Sequence, residues 1–322
     1  MTRLRWGILS TARIGLRRVI PAIQRSERGA VTAIASRAKH KADEAAARLG
    51  IPRAYGGYEA VLGDAEVDAV YLSLPNSLHK EWTLRAVAAG KHVLCEKPLG
   101  VDAGEAEAMA GAAAHAGVLL QEAFMYRFHP QIERLEALVK EGTIGRPWLV
   151  RAAFSFPVRS GEDIRLSREL GGGGLLDVGC YGVNISRLLL GEPTSGSAAA
   201  VFERGVDVRL AGLLAFPHDA AALIDCGLRA ADRQFCEVVG TEGTITLPRP
   251  FQPEENPAVL VLRHGDQEER IEVPGTNQYT RMVDHFAECA QTGASPRYPA
   301  SDAVANMRAL DLLRRNVVTA TD

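Results

Sequence analysis

A lysine set between a carboxylate and a proline, Glu96-Lys97-Pro98, ends the short apolar run His92-Val93-Leu94-Cys95. Proline cannot continue a central parallel strand and pushes the residue before it out of helical geometry, so the chain turns at Lys97 and leaves its ammonium at a strand's carboxyl end. Open α/β sheets bind ligands at that edge, which makes Lys97 a candidate for chemistry, although a solvated turn lysine shows the same pattern. Further along, Asp177 and Tyr181 stand four residues apart after Gly171-Gly172-Gly173-Gly174, a spacing that puts both on one helix face. A tyrosine within reach of a substrate hydroxyl can take or return its proton during hydride transfer if a neighbouring ammonium lowers its pKa from about 10; Lys97 is the obvious source of that charge. The competing reading is an Asp on the helix dipole and a half-buried core tyrosine. Four successive glycines lose chain entropy on folding with no side chain to pack, so something must need flexibility or close approach there.

The elements that carry these residues alternate. Leu4–Leu9 reads as a strand ending in Ser10-Thr11-Ala12-Arg13-Ile14-Gly15, after which Val19, Ile20 and Ile23 recur at helical spacing. This is the strand, tight turn and helix of a dinucleotide-binding unit with one of its three glycines, Gly15, in place; Ser10 and Ala12 are small enough for backbone amides to approach a pyrophosphate. The strand over 31–35 ends in Ser36-Arg37, and Lys41 lies in the helix that follows. An acidic residue at that strand end would suit a free ribose hydroxyl, whereas a hydroxyl and a guanidinium suit a 2'-phosphate, which points to NADP over NAD; an exposed arginine at a strand end is the alternative. After the strand over 67–74 come Pro75-Asn76-Ser77-Leu78-His79, where Asn76 and His79 are candidate cofactor contacts or, equally, a cap and a surface histidine. A helix over Ala103–Ala116 and a strand over 118–121 complete an alternation that predicts an α/β fold with a doubly wound parallel sheet.

The pattern changes at 122–130, Glu-Ala-Phe-Met-Tyr-Arg-Phe-His-Pro. Beyond it, 148–156 and several runs between 197 and 273, broken at Phe216-Pro217-His218-Asp219 and Arg263-His264-Gly265-Asp266, predict a mostly antiparallel sheet. The expected domains are therefore 1–123, dinucleotide-binding, and 124–322, an α+β substrate and assembly domain whose last helices, near 278–290 and 303–317, pack its core. The chain has 322 residues and a formal charge of −2 with no Lys/Arg block, which argues against a nucleic-acid face. No apolar run approaches the roughly 20 residues of a membrane span. The N-terminal residues enter a strand pattern without a signal-peptide region, so a cytoplasmic location is expected. Five cysteines (Cys95, Cys180, Cys226, Cys236, Cys289) without Cys-x-x-Cys spacing read as reduced core thiols, and no metal-ligand cluster is evident.

Taken together, Gly7 to Gly15, Glu96-Lys97-Pro98, 122–130 and Gly172 to Tyr181 resemble the glucose-fructose oxidoreductase, inositol dehydrogenase and MocA family over nearly the whole chain. Within it, the stretch 122–130 and Asp177-Val178-Gly179-Cys180-Tyr181 are most similar to the branch of NADP-dependent D-xylose dehydrogenases and dimeric dihydrodiol dehydrogenases, which has a Tyr where inositol dehydrogenases have a His. The resemblance implies an N-terminal Rossmann domain and a C-terminal α+β domain with an open-faced, mostly antiparallel sheet. It further implies Lys97 and Tyr181 as the catalytic pair with Asp177 in support, Arg37 and Lys41 on the NADP phosphate, and a homodimer or homotetramer joined through the outer sheet face. Ser10, Thr11, Ala12, Arg13, Ile14, Ser36, Arg37, Lys41, Leu74, Asn76, His79, Glu96 and Lys97 are the expected cofactor positions. Tyr126, Arg127, Phe156, Asp163 and Arg165 are expected on the substrate side. The expected activity is NADP-dependent oxidation of a hydroxyl in a sugar such as D-xylose or in a cyclic trans-diol. A nicotinamide-dependent glycoside hydrolase of the same fold and a non-catalytic NADP-sensing regulator are the alternatives.

Overall fold

Six short strands build the first sheet: β1 (Leu4–Leu9), β2 (Gly29–Ala35), β3 (Arg53–Tyr55), β4 (Ala69–Leu72), β5 (His92–Cys95) and β6 (Leu120–Glu122), of which β1, β2, β4 and β5 are mostly apolar. The computed structural model describes residues 3–319. All six strands run parallel, in the order β3-β2-β1-β4-β5-β6. The order reverses between β1 and β4, and such a switch point opens a crevice at the carboxyl ends of both strands. The crossovers are the helices α1 (Ile20–Arg25), α2 (Lys39–Leu49), α3 (Tyr58–Leu62), α4 (His79–Ala88) and α5 (Ala103–Ala116). Local chemistry sets their ends: Asp102 caps α5 by accepting the Glu105 N–H at 2.8 Å, and Gly117 at φ 64° closes it.

The parallel sheet bears out the doubly wound reading, but the chain does not divide into two contiguous halves. Its compact units are Met1–Met125 with Asn277–Val304, and Tyr126–Thr276 with Ala305–Asp322. Helix α6 (Pro130–Lys140), helix α7 (Cys180–Leu190) and all but the last strand of the second sheet come between, and then α8 (Gln278–Thr292) returns to pack on α1, β1 and β2 of the first unit. Phe286 lies 4.9 Å from the Trp6 ring, Met282 and Phe286 are fully buried, and the Ser26 hydroxyl donates to Asp284. Each such large apolar side chain contributes roughly 1.5–3 kcal/mol when buried. The sequence shows α8's apolar stripe of Met282, Phe286 and Cys289, but a stripe does not say which sheet it will cover.

The second sheet has nine strands: β7 (Pro147–Ser155), β8 (Ser195–Glu203), β9 (Val206–Ala215), β10 (Ala221–Gly227), β11 (Arg233–Gly240), β12 (Thr244–Leu247), β13 (Ala258–His264), β14 (Gln267–Val273) and β15 (Val317–Thr319), which follows α9 (Ala300–Arg315). They stand in the order β14-β13-β12-β11-β7-β10-β9-β8-β15, antiparallel except for the pairs β7/β10 and β8/β15. Both Pro/Gly/Asp breaks read from the sequence are hairpin turns, with His218 and Asp219 at φ 61° and 60° and Gly265 at φ 56°. Along β9 Val206, Val208, Leu210 and Leu214 are buried while Arg209, Ala211 and Leu213 are exposed, the alternation of a sheet with one covered face. Helix α7 covers β7 and β10.

Candidate active site

The residues proposed for chemistry fall in both units, and each unit holds its share by a distinct device. In the first, the turn after β1 is built on Ser10, which adopts φ 131°, a conformation that ordinarily favours glycine. Its side chain accounts for a serine there: Oγ accepts the Ala12 N–H at 3.0 Å and donates to the Ser73 carbonyl at 3.0 Å, tying the turn after β1 to the end of β4. Thr11, Ala12 and Ile14 are partly exposed and Arg13 is exposed. A five-residue π turn, Gly15–Val19, opens α1; a Cβ on Gly15 would stand 3.4 Å from the Tyr71 ring.

At the end of β2, Ser36 is buried and its Oγ accepts the Ala38 N–H at 3.3 Å, so the hydroxyl shapes the turn. Arg37 and Lys41 are both exposed, and Arg37 reaches the Tyr58 hydroxyl. The turn's small residues, the close approach at Gly15 and two exposed cations one strand away fit a dinucleotide: backbone amides for a pyrophosphate, cations for a further phosphate.

Lys97 sits where the sequence places it, just past β5, and buried groups hold its turn. The Lys97–Pro98 peptide is cis. Glu122 Oε1 accepts the Leu99 N–H at 2.8 Å, Glu96 Oε1 accepts the Tyr71 hydroxyl at 2.6 Å, and Glu96 Oε2 accepts the Lys97 N–H at 3.3 Å. His79 belongs to the same clamp, with Nδ1 2.9 Å from the Pro98 carbonyl and Nε2 2.9 Å from the Leu74 carbonyl. Fully buried, it is no surface histidine, and both ring nitrogens are engaged with backbone of this turn. Burial holds its pKa below the usual histidine range. Leu74 is buried, and Asn76 is half-buried in the turn that precedes α4.

In the second unit a π turn, Leu175–Gly179, again opens the helix, here α7. Asp177 and Tyr181 enter different surroundings. Asp177 accepts from Arg165 Nε at 2.7 Å, and Arg165 reaches Asp163 at 3.2 Å while its guanidinium carbon lies 5.6 Å from the Phe156 ring. The two carboxylates raise the Arg165 pKa, Asp177 most. Four of the positions read from the sequence, Phe156, Asp163, Arg165 and Asp177, thus form one polar and aromatic cluster. Tyr181, 3% exposed, lies among Tyr126, Phe154 and Phe251 at ring separations of 5.7, 5.3 and 5.1 Å. Tyr126 is fully buried and its hydroxyl donates to Asn184 Oδ1 at 2.6 Å, and Arg127 is buried as well. Sequence reasoning missed Asn184 and Tyr71; one helical turn separates Asn184 from Tyr181, and nothing local marks Tyr71.

Two family descriptions match this architecture: "Oxidoreductase family, NAD-binding Rossmann fold" over residues 4–124, and "GFO/IDH/MocA C-terminal domain" over 132–246. The chain belongs to the GFO/IDH/MocA family. As a member of that family it is an NAD(P)-dependent oxidoreductase acting on CH–OH groups. Within the family it is 41% identical over 318 residues to a D-xylose 1-dehydrogenase (NADP(+)) of Haloferax volcanii, covering 98% of this chain and 97% of that one. It is 36% identical over 257 residues to the mouse trans-1,2-dihydrobenzene-1,2-diol dehydrogenase, covering 78% and 77%. Among solved structures of the family, a 3-ketoreductase from Actinomadura kijaniata in complex with NADP and TDP-benzene superposes with a TM-score of 0.95 at 34% identity, covering 99% of both chains. Among the described residues no helix is long and apolar enough to cross a membrane.

Proposed function

We propose that the protein is an NADP-dependent sugar dehydrogenase, acting on a pentose or hexose such as D-xylose or on a cyclic trans-diol, with Tyr181 as the proton-transfer residue and Lys97 as its partner. The observation that carries the reading is the clamp on the Lys97 turn at the carboxyl edge of the parallel sheet: Glu96 accepts the Lys97 N–H and the Tyr71 hydroxyl, Glu122 accepts the Leu99 N–H, and His79 lies against the Pro98 carbonyl, all four groups being buried or half-buried. A merely solvated lysine needs no such frame. The 41% likeness to an enzyme named D-xylose 1-dehydrogenase (NADP(+)) supports the substrate class.

The bound nicotinamide supplies the hydride acceptor or donor. Tyr181 takes the substrate hydroxyl proton on oxidation and returns it on reduction, its aromatic surroundings of Tyr126, Phe154 and Phe251 excluding water from the transfer. Lys97 favours the phenolate and orients the hydroxyl. Ser10 to Ile14 offer backbone to the pyrophosphate, and Arg37 and Lys41 hold the 2'-phosphate. Phe156, Asp163, Arg165 and Asp177 present a ring face, carboxylates and a guanidinium, groups suited to the C–H faces and hydroxyls of a sugar. The open sheet face, where Leu213 and Leu223 pair at 44% and 45% exposure, joins two copies into a homodimer.

The test is nicotinamide absorbance with NADP and a panel of pentoses, hexoses, dihydrodiols and a nucleotide-linked keto sugar. Steady turnover that falls 10²- to 10⁴-fold in Tyr181→Phe, with NADP affinity unchanged, is the expected result. A variant that keeps most of the rate removes Tyr181 from the chemistry; release of an aglycone without net NADPH would mean a hydrolase.

A further inference from the structure

The glycine run before α7 has no part in proton transfer, yet its backbone is in close contact with a carboxylate. Asp207, the second residue of β9, accepts the Leu175 N–H through Oδ2 at 2.6 Å, and the Gly174 N–H also bonds to it. A Cβ on Gly173 would stand 2.4 Å from Asp207 Oδ1, and one on Gly174 3.2 Å from Oδ2. Gly173 also sits at φ 123°. The glycines are therefore the space that Asp207 occupies. The rest of the turn closes on Arg165: a Cβ on Gly172 would lie 2.4 Å from the Arg165 carbonyl, which accepts the Gly173 N–H at 2.9 Å. The Asp177 N–H in turn donates to the Gly173 carbonyl at 3.0 Å, and the Asp177 carboxylate takes the Arg165 guanidinium. From Arg165 to Asp177 the chain is tied at backbone and side chain, and Asp207 fastens that knot to the sheet.

We propose that Asp207 is a positioning residue, its carboxylate holding the glycine turn against β9 and so fixing the turn of helix from which Asp177 and Tyr181 project. The proposal rests on the reading that Tyr181 transfers the substrate proton. Around the carboxylate, Arg314 of α9 attracts it, the Cys226 thiol of β10 is driven towards its neutral form, and the backbone amides stabilise the charge. Burial nevertheless pushes the Asp207 pKa up to about 6. A carboxyl whose pKa is raised on folding contributes stability at acid pH that is lost as pH rises through that value, so at pH 7.5 its charge opposes folding.

The experiment compares the full chain with Asp207→Asn and Asp207→Ala at pH 7.5, counting active sites by NADPH fluorescence. Expected are a loss in kcat per NADPH-binding site of roughly 10- to 100-fold, the range for a displaced catalytic group, with the affinity for NADPH unchanged. Amide exchange over 173–178 should speed roughly tenfold or more on loss of a charge-assisted hydrogen bond. The thermal midpoint of Asp207→Asn should not fall, which no purely structural role predicts. Unchanged kcat per binding site, or unchanged exchange in that segment, overturns the proposal; should Asp207→Ala not fold, Asp207→Asn carries both readouts. Tyr181→Phe run alongside separates the two failures: if it keeps its rate, the proton-transfer reading falls, while faster exchange in Asp207→Asn still supports the hold on the turn.

Discussion

Replacing His79 by leucine distinguishes a residue that binds cofactor from one that holds the Lys97 turn. The side chain is fully buried, and each ring nitrogen lies 2.9 Å from a carbonyl, Pro98 on one side and Leu74 on the other. Neutral imidazole donates to one of them. Leucine fills similar space but donates nothing, and a buried carbonyl deprived of its donor costs about 1–3 kcal/mol. At about 2–4 °C per kcal/mol for a unit of this size, the thermal midpoint should drop by several degrees. The loosened Lys97 turn should cost kcat about tenfold or more, while NADP affinity stays within about twofold. Calorimetry and fluorescence titration of the same preparation read both quantities. If NADP affinity collapses and the midpoint holds, His79 is a cofactor ligand and the clamp argument fails. There is a pH signature as well. Burial lowers the pKa of His79, and of His92 and His285, so the fold favours their neutral forms; the stability they contribute is present above about 6.5 and is lost as pH falls through their lower folded values. Wild-type stability should therefore decline from pH 7 towards 5, less steeply in His79→Leu, with Asp207 working in the opposite sense.

Two other outcomes are expected. Arg37→Ala removes an exposed guanidinium at the β2 edge and should weaken NADP binding about tenfold or more, leaving NAD nearly unchanged, since a charge-assisted contact to phosphate is worth about 1.5–3 kcal/mol; equal losses in titrations of both cofactors would sink the assignment. Light scattering at micromolar concentration should give at least twice the chain mass, and Leu223→Arg on the open face of β10 should return it to one chain; a wild-type monomer refutes the sheet-face dimer, whose interface should bury at least about 1,200 Å².

Much of this was legible in the residues because strand ends are marked locally. Apolar runs stop at Ser36-Arg37 and at Glu96-Lys97-Pro98, and proline and small residues fix where the chain turns, so the parallel sheet and the place of Lys97 follow from short stretches. His79 and Asp207 were illegible for a common reason: each acts on backbone far from it in sequence, His79 on the Pro98 carbonyl and Asp207 on the Leu175 amide. The glycine run announced that something approaches the backbone without saying what. The spacing of Asp177 and Tyr181 was read at 3.6 residues per turn, but the helix is wider there, and the two side chains have separate partners. The return of α8 to the first unit depends on a surface offered by Trp6 and α1, invisible in the helix's own sequence.

The two π turns also bear on how the helices of this fold can change by insertion and deletion. At α1 the Ile20 N–H bonds to the Gly15 carbonyl, and at α7 the Cys180 N–H bonds to the Leu175 carbonyl, five residues apart in each case. Such a turn takes in one residue more than an α turn, so each helix carries a single surplus residue at its amino end. Removing one residue from 175–179 would restore an unbroken α ladder without lengthening or cutting any loop. Because the wider turn absorbs that residue where it stands, the helix beyond it would keep its phase and the change would stay within the turn. Asp177 would swing away from Arg165 while Tyr181 kept its place among the rings. The placing of Asp177 relative to Tyr181 is thus adjustable by a single residue, a coarser change than any side-chain substitution at the same place.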